Sequence, residues 1–155
     1  MITFVPGIRN AVRALIVENG AVLVQSKAYP GGGVRYTLPG GAPDQGETLE
    51  QGLRRECLEE IGASVEILRL AHVADFWNPR ETEPVTHRQQ VEFLFRCRLP
   101  SGYVPQNGPR PDKHQVDVIW LPPGDPRREN FFPRGFGAVL DGSVTNSPIY
   151  MGRVS

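Results

Sequence analysis

Three glutamates, Glu56, Glu59 and Glu60, fall in one proline-free stretch of this 155-residue chain. On an ideal helix, at about 100° per residue, they lie within roughly 100° of arc, and Leu49, Leu53, Cys57 and Ile61 form an apolar stripe beside them. Glu56 and Glu60 are one turn apart and border the stripe, which puts them at the margin of a core rather than in open water. Like charges so placed repel, and a hard divalent cation relieves the repulsion. Mg²⁺ takes oxygen ligands, keeps several waters and commonly uses one or two carboxylates together with substrate phosphates. A Glu-rich helix face is ordinarily just solvated, here with Arg54 and Arg55 as neutralising neighbours. The residues on either side decide between the two.

They run Gly41, five residues, Glu47, seven residues, Arg55-Glu56, two residues, Glu59-Glu60, one residue, Gly62. At roughly 6% usage per residue type, such a match arises by chance on the order of 10⁻⁹ times per starting position. Residues 41–63 resemble the box of the Nudix hydrolases at all its fixed positions, with Cys57 and Ala63 filling the two looser apolar ones. Members of that family cleave a nucleoside diphosphate linked to a further moiety. The resemblance implies the same hydrolytic activity here, with Mg²⁺ as cofactor and Mn²⁺ as a substitute. It implies an α/β fold, the Nudix-type α/β/α sandwich around a mixed β-sheet. A Nudix-fold module that binds or senses a nucleotide without cleaving it is the alternative, but degenerate boxes typify such modules and this box keeps every charged position.

The resemblance also assigns roles. It makes Glu56 and Glu60 the leading metal ligands, Glu59 a further ligand or the base, and the Gly40 carbonyl a backbone ligand. It gives Arg55 the task of orienting the helix carboxylates and Glu47 that of bracing the preceding loop or holding a metal. Cleavage of a phosphoanhydride needs charge neutralised at the oxygens and a water held in line, after which a carboxylate removes the water's proton. In some relatives that base lies outside the box, and Glu92, Asp112, His114 and Glu59 are the candidates. Glu92 reads equally well as an outward residue of an alternating strand.

Outside the box, Lys27 and Arg35 flank the loop at residues 30–33 and are candidates for binding phosphates. Trp77, Tyr36 and Phe131 are candidates for stacking on a base, against the commoner role of aromatics in a core. Trp120, in an apolar run, reads as core, and His72 and His87 as structural. Pro79 stands about sixteen residues past the box, where relatives that cleave ADP-ribose often carry proline, although Trp77-Asn78-Pro79 also reads as a turn that ends a strand. Nucleoside triphosphates, dinucleoside polyphosphates and capped RNA ends stay open as substrates.

The elements that must position these groups are legible in outline. Residues 13–17 and 21–24 are apolar runs around Asn19-Gly20, which predicts an antiparallel hairpin. Residues 36–38 read as a short strand entering Pro39-Gly40-Gly41. Thr48 and Gln51 form a capping box, and Gly62 stops the helix that Thr48 begins. Residues 65–73, 90–99 and 116–120 read as strands. Asp125-Pro126 looks like a helix start, and residues 135–141 a short second helix. The 17 glycines and 15 prolines amount to about a fifth of the chain, short of the roughly 25–30% that marks disorder. The length suits one domain, residues 1–155. With 17 Lys+Arg against 17 Asp+Glu the net charge is zero, which argues against gripping nucleic acid or anionic lipid through overall positive potential. Residues 1–10 lack the layout of a signal peptide, no apolar run approaches ~20 residues, and Cys57 and Cys97 read as reduced core thiols, so a cytoplasmic protein is expected. Its expected partner is a small nucleotide, with a homodimer left open.

Overall fold

The helix that carries the glutamates is fixed at both ends by its own sequence. In the computed structural model, which describes residues 1–140 and 148–155, helix α1 spans Leu49–Ile61. The Thr48 hydroxyl accepts from the Gln51 N–H while the Gln51 side chain accepts from the Thr48 N–H, so the predicted capping box is closed. Gly62 ends the helix in the left-handed conformation at φ 65°. Leu53, Cys57 and Ile61 are fully buried, as the stripe requires, and Leu49 packs against the same core.

Among the described residues nine strands accompany it: β1 (Phe4–Leu15), β2 (Val17–Glu18), β3 (Ala21–Ala28), β4 (Val34–Thr37), β5 (Gly40–Gly41), β6 (Glu66–Arg80), β7 (Thr86–Arg98), β8 (Gln115–Leu121) and β9 (Tyr150–Val154). One sheet has the order β5-β1-β7-β6-β9, with β1 parallel to β7 and β9 parallel to β6, and is therefore mixed. In the other, β3 pairs with β2 and β4 on one edge and β8 on the opposite edge. Two cores result. Val12, Ala14 and Leu23 pack with the α1 stripe, while Leu15, Val22 and Val24 pack with Phe136, Val139 and Leu140. Alternate residues of β1 and β3 thus serve opposite layers, and the expected α/β/α sandwich is present, its second helical layer made of 3₁₀ turns. Both cysteines are free and buried, and burial pushes the Cys97 thiol up to about 12. Among the described residues no helix is long and apolar enough to cross a membrane.

Three expectations change. The predicted hairpin is confined to Val17–Glu18 against β3, with Asn19 and Gly20 both at positive φ in its two-residue turn. Arg13, Ala14 and Leu15 instead pair in parallel with Leu94, Phe95 and Arg96, so the chain changes sheets at Ile16. Trp77-Asn78-Pro79 is not a turn: β6 continues through it, with Pro79 opposite His87, because the pairing with β7 overrides the local turn signal. The C-terminal helices are 3₁₀ segments, Pro126–Asn130, capped by Asp125 as expected, and Arg134–Val139; the expected end of the latter at Asp141 lies outside the described residues. Strand β9, which no local pattern announces, completes the mixed sheet.

Candidate active site

Where the two sheets meet beside α1 they leave a cleft of about 340 Å³. One end is built by the box. Glu56 and Glu60 line it together with Gly40 and Gly41, whereas Glu59 is not part of the lining. Glu60 is buried and accepts from the Gln25 side-chain amide. Burial, helped by the neighbouring Glu56 and opposed by Gln25, pushes its carboxyl up to about 9. Gly41 lies so close that a Cβ there would stand 2.8 Å from Glu56 Oε1. At Gly40, φ is 141° and a Cβ would overlap the Val12 carbonyl oxygen at 1.9 Å.

Arg55 organises the carboxylates from outside. Its Nε and Nη2 grip Glu47 at 2.8 and 2.9 Å, its Nη1 reaches Glu56 at 3.1 Å and Glu59 at 3.3 Å, and Nη2 also donates to the Ala42 carbonyl. Glu47 in turn accepts from the Asp44 N–H at 2.6 Å, closing the loop ahead of the helix. The Arg55 hydrogen bonds hold the Glu47 carboxyl below the usual carboxylate range, and Glu47 raises the Arg55 guanidinium in return.

The side chains facing the box across the cleft were mostly not singled out by sequence. Arg13 donates to Glu92 Oε2 at 3.1 Å and, through Nη1, to the Gly40 carbonyl at 3.1 Å. Burial works against the Arg13 charge, but Glu92 more than offsets it and the guanidinium lies above its ordinary range. Glu92 is buried within the cleft wall, not outward, and its other oxygen accepts from Gln90 at 3.1 Å. Gln90 accepts from Asn78 at 3.2 Å. A polar pair, Gln90 and Glu92, at the inward positions of a strand that continues with inward Leu94 was the available signal. Arg13 carried none.

Lys27 is not a solvated loop flank. It is buried in the cleft and donates to Asp112 Oδ2 at 2.6 Å. Burial alone would raise the Asp112 carboxyl, yet Lys27 holds it below its ordinary value. The lining also carries four aromatic rings, Tyr29, Phe76, Phe132 and Phe136, together with Arg9, Thr37, Leu38 and Pro133. Arg35 stands behind this wall, its guanidinium 4.4 Å from the Phe132 ring centroid and 4.9 Å from that of Tyr29. His114 is likewise outside the lining, stacked on Tyr29 at 4.7 Å. Trp77 faces away from the cleft, against Arg153 at 4.3 Å and Phe4 at 5.0 Å, because strand alternation gives the cleft its neighbours Phe76 and Asn78. Tyr36 and Phe131 belong to the second core and Trp120 packs against the first. The His72 ring meets the Pro148 carbonyl at 3.2 Å, and His87 stacks near Phe4.

Among the described residues no three acidic, histidine or cysteine side chains converge as a ready-made metal cage. What the cleft offers is an all-oxygen set: the Glu56 and Glu60 carboxylates, the adjoining Gly40 carbonyl, and the Thr37 hydroxyl, a buried oxygen without a hydrogen-bond partner among the described residues. Two carboxylates with room for water and phosphate oxygens fit a hard divalent cation.

The chain is similar to known proteins in sequence and in fold. A family model described as the NUDIX domain matches residues 7–139. A MutT-like protein of Streptomyces ambofaciens is 34% identical over 111 residues, covering 72% of this chain and 61% of its own length. Nucleoside triphosphatase NudI of Enterobacter sp. (strain 638) is 41% identical over 64 residues, 38% of this chain and 43% of its own. The chain thus spans less than two thirds of either relative. Among solved structures, the NUDIX hydrolase from Nitrosomonas europaea superimposes with a TM-score of 0.65 over 94% of this chain and 77% of that one, at 23% identity.

Proposed function

The chain belongs to the NUDIX domain family, and from that premise we propose that it hydrolyses the pyrophosphate linkage of a nucleoside triphosphate with the help of Mg²⁺ or Mn²⁺. The observation that carries the reading is one cleft whose lining combines the Glu56 and Glu60 carboxylates, the Arg13 and Lys27 cations and four aromatic rings. The charged groups suit a polyphosphate and the rings a nucleobase. A nucleotide sugar is the competing substrate. Its particular signal, Pro79, is exposed and absent from the cleft lining, whereas one relative is by name a nucleoside triphosphatase.

In this reading Glu56 and Glu60, with the Gly40 carbonyl, hold the metal, and Glu59 joins them or serves as base. The metal, when bound, neutralises phosphate charge and activates the attacking water. Arg55, braced by Glu47, fixes the direction of the carboxylates. Lys27 and Arg13 supply positive charge for phosphate oxygens, and Arg35 acts on the substrate only through the aromatic wall it backs. Glu59 Oε2 is engaged by Arg55, and Oε1 has no hydrogen-bond partner among the described residues. Glu92, with both oxygens engaged, is a positioning residue for Arg13.

The test is a panel of nucleoside triphosphates and nucleotide sugars incubated with the chain and Mg²⁺, read by phosphate release and product mass. Triphosphate turnover to a monophosphate or diphosphate is expected. Preference for nucleotide sugars would replace the substrate class, and binding without turnover would favour a sensing module.

A further inference from the structure

Resting on the reading of the cleft as a nucleotide site, we propose that Asn78 reads the nucleobase and that Glu92, acting through Gln90, locks the Asn78 amide in the orientation that selects an exocyclic amino group over a carbonyl. The selected bases are 6-aminopurines and 4-aminopyrimidines.

The argument is one of hydrogen-bond direction. A side-chain amide has a donor end and an acceptor end of nearly the same shape, so an isolated Asn serves either kind of ligand by turning over. Asn78 is not isolated. Glu92, the ion-pair partner of Arg13, is acceptor-only. Gln90 must therefore present Nε2 to Glu92, as it does at 3.1 Å, and this leaves Gln90 Oε1 to face Asn78. Asn78 then donates through Nδ2 at 3.2 Å. Gln90 and Glu92 are both buried, so the Gln90 amide cannot exchange its partners for water without loss.

The free edge of Asn78 is thereby fixed as Oδ1 plus the second Nδ2 hydrogen. Asn78 and Phe76, alternate residues of β6, both line the cleft, as does Phe132, whose ring meets that of Phe76 edge to face at 5.4 Å. Among the described residues Oδ1 accepts no hydrogen bond. An acceptor next to a donor matches an amino group next to a ring nitrogen, as on adenine or cytosine. A base held in the same place with a carbonyl and a ring N–H needs the amide reversed, which would set Asn78 Oδ1 against Gln90 Oε1.

Matched substrates test it: ATP against ITP and CTP against UTP, compared by kcat/KM with Mg²⁺, and AMP against IMP compared by calorimetric binding. The amino member should be favoured by about 5- to 100-fold, the range set by leaving one buried polar group unpaired. Asn78→Leu should bring each ratio to within about twofold of unity. Glu92→Gln should lower the ratios with Asn78 still present, because a glutamine at that position accepts or donates and releases the direction of the chain. Equal treatment of amino and carbonyl members by the wild type, or an undiminished ratio in Asn78→Leu, overturns the proposal. If thermal melting shows Asn78→Leu unfolded, Gln90→Leu replaces it with the same expected fall in ratio, and an unchanged ratio there overturns the proposal equally. Preferential binding of AMP without turnover of any triphosphate would sink the hydrolase reading and leave this one standing, and turnover of amino and carbonyl triphosphates at equal kcat/KM would sink this one and leave the hydrolase reading standing.

Discussion

Arg13 and Glu92 meet across the parallel junction of β1 and β7, Nε to Oε2 3.1 Å, and the same guanidinium holds the Gly40 carbonyl at 3.1 Å. A carboxylate engaged on one side by a guanidinium and on the other by the Gln90 amide is held in place through both oxygens. It aims a cation and, through it, the backbone of the glycine turn. The relationship separates two roles that are hard to tell apart from sequence, base and positioning group.

Glu92→Gln should therefore lower kcat by about 10²-fold, the scale of a misplaced catalytic geometry, and keep the acid limb of the pH–rate profile. Loss of a true base would remove that limb. The variant should also lose about 3 kcal/mol of stability in urea titration, because Arg13 is left nearly buried without its counter-charge. A vanished acid limb would return Glu92 to the role of base.

The carboxylates at the other end of the cleft should matter for metal. Chelation should abolish turnover, and Glu56→Gln and Glu60→Gln should each raise the barrier by about 3 kcal/mol, the size expected for a lost electrostatic group. Mn²⁺ titration should show weaker binding in both; without metal at neutral pH the Glu56 variant should melt close to wild type and the Glu60 variant above it, since neither change opens a cavity and the second removes a buried charge. Near-normal rates in both folded variants would reduce the acidic face to a solvated surface.

Much of this site was legible because its determinants are local. The capping box, the Gly62 stop and the spacing of Leu53, Cys57 and Ile61 place Glu56 and Glu60 without reference to the rest of the chain. The opposing wall was not legible, since it depends on pairings between distant segments. Asn78 reaches the cleft only because β6 runs through Pro79 in register with β7, and Trp77 faces away for the same reason. Arg13 became visible only when β1 was seen to leave the hairpin for the other sheet. Lys27 was found near the right place but with the wrong environment, because Asp112 lies 85 residues away in sequence.

Glu60 gives the metal-free protein a pH dependence whose sign is fixed. Its carboxyl is raised by burial to about 9 in the fold, against 4.5 for the ordinary group, so between these values the folded state holds a proton that the unfolded state has released. Stability contributed by this group is complete below pH 4.5 and falls as pH rises towards 9, with a slope no steeper than about 1.4 kcal/mol per pH unit. Urea titrations in a chelating buffer should show that decline, and Glu60→Gln, which mimics the protonated form, should flatten it. Metal competes with the proton, so Mn²⁺ affinity should rise over the same interval. A decline of equal steepness in Glu60→Gln would assign the effect to another group.

The two glycines that open the box should fail differently when each is replaced by alanine. At Gly40 the new Cβ would overlap the Val12 carbonyl oxygen at 1.9 Å, and φ is 141°, so both sterics and backbone conformation oppose it. The obstacle is main chain of β1, which has no rotamer to change, and β5 must leave its pairing with β1. Gly40→Ala should lower stability by more than about 2 kcal/mol in urea titration. At Gly41 the nearest atoms belong to the Glu56 carboxylate, Oε1 at 2.8 Å and Cδ at 2.9 Å, the movable end of a side chain. Glu56 can turn aside, so Gly41→Ala should stay close to wild type in stability while losing Mn²⁺ affinity and roughly 10²-fold in turnover through the displaced carboxylate. Equal loss of stability in the two variants would mean that Gly41 is demanded by the turn itself, whereas full activity in folded Gly41→Ala would show that the orientation of Glu56 toward the glycine turn is immaterial to the reaction.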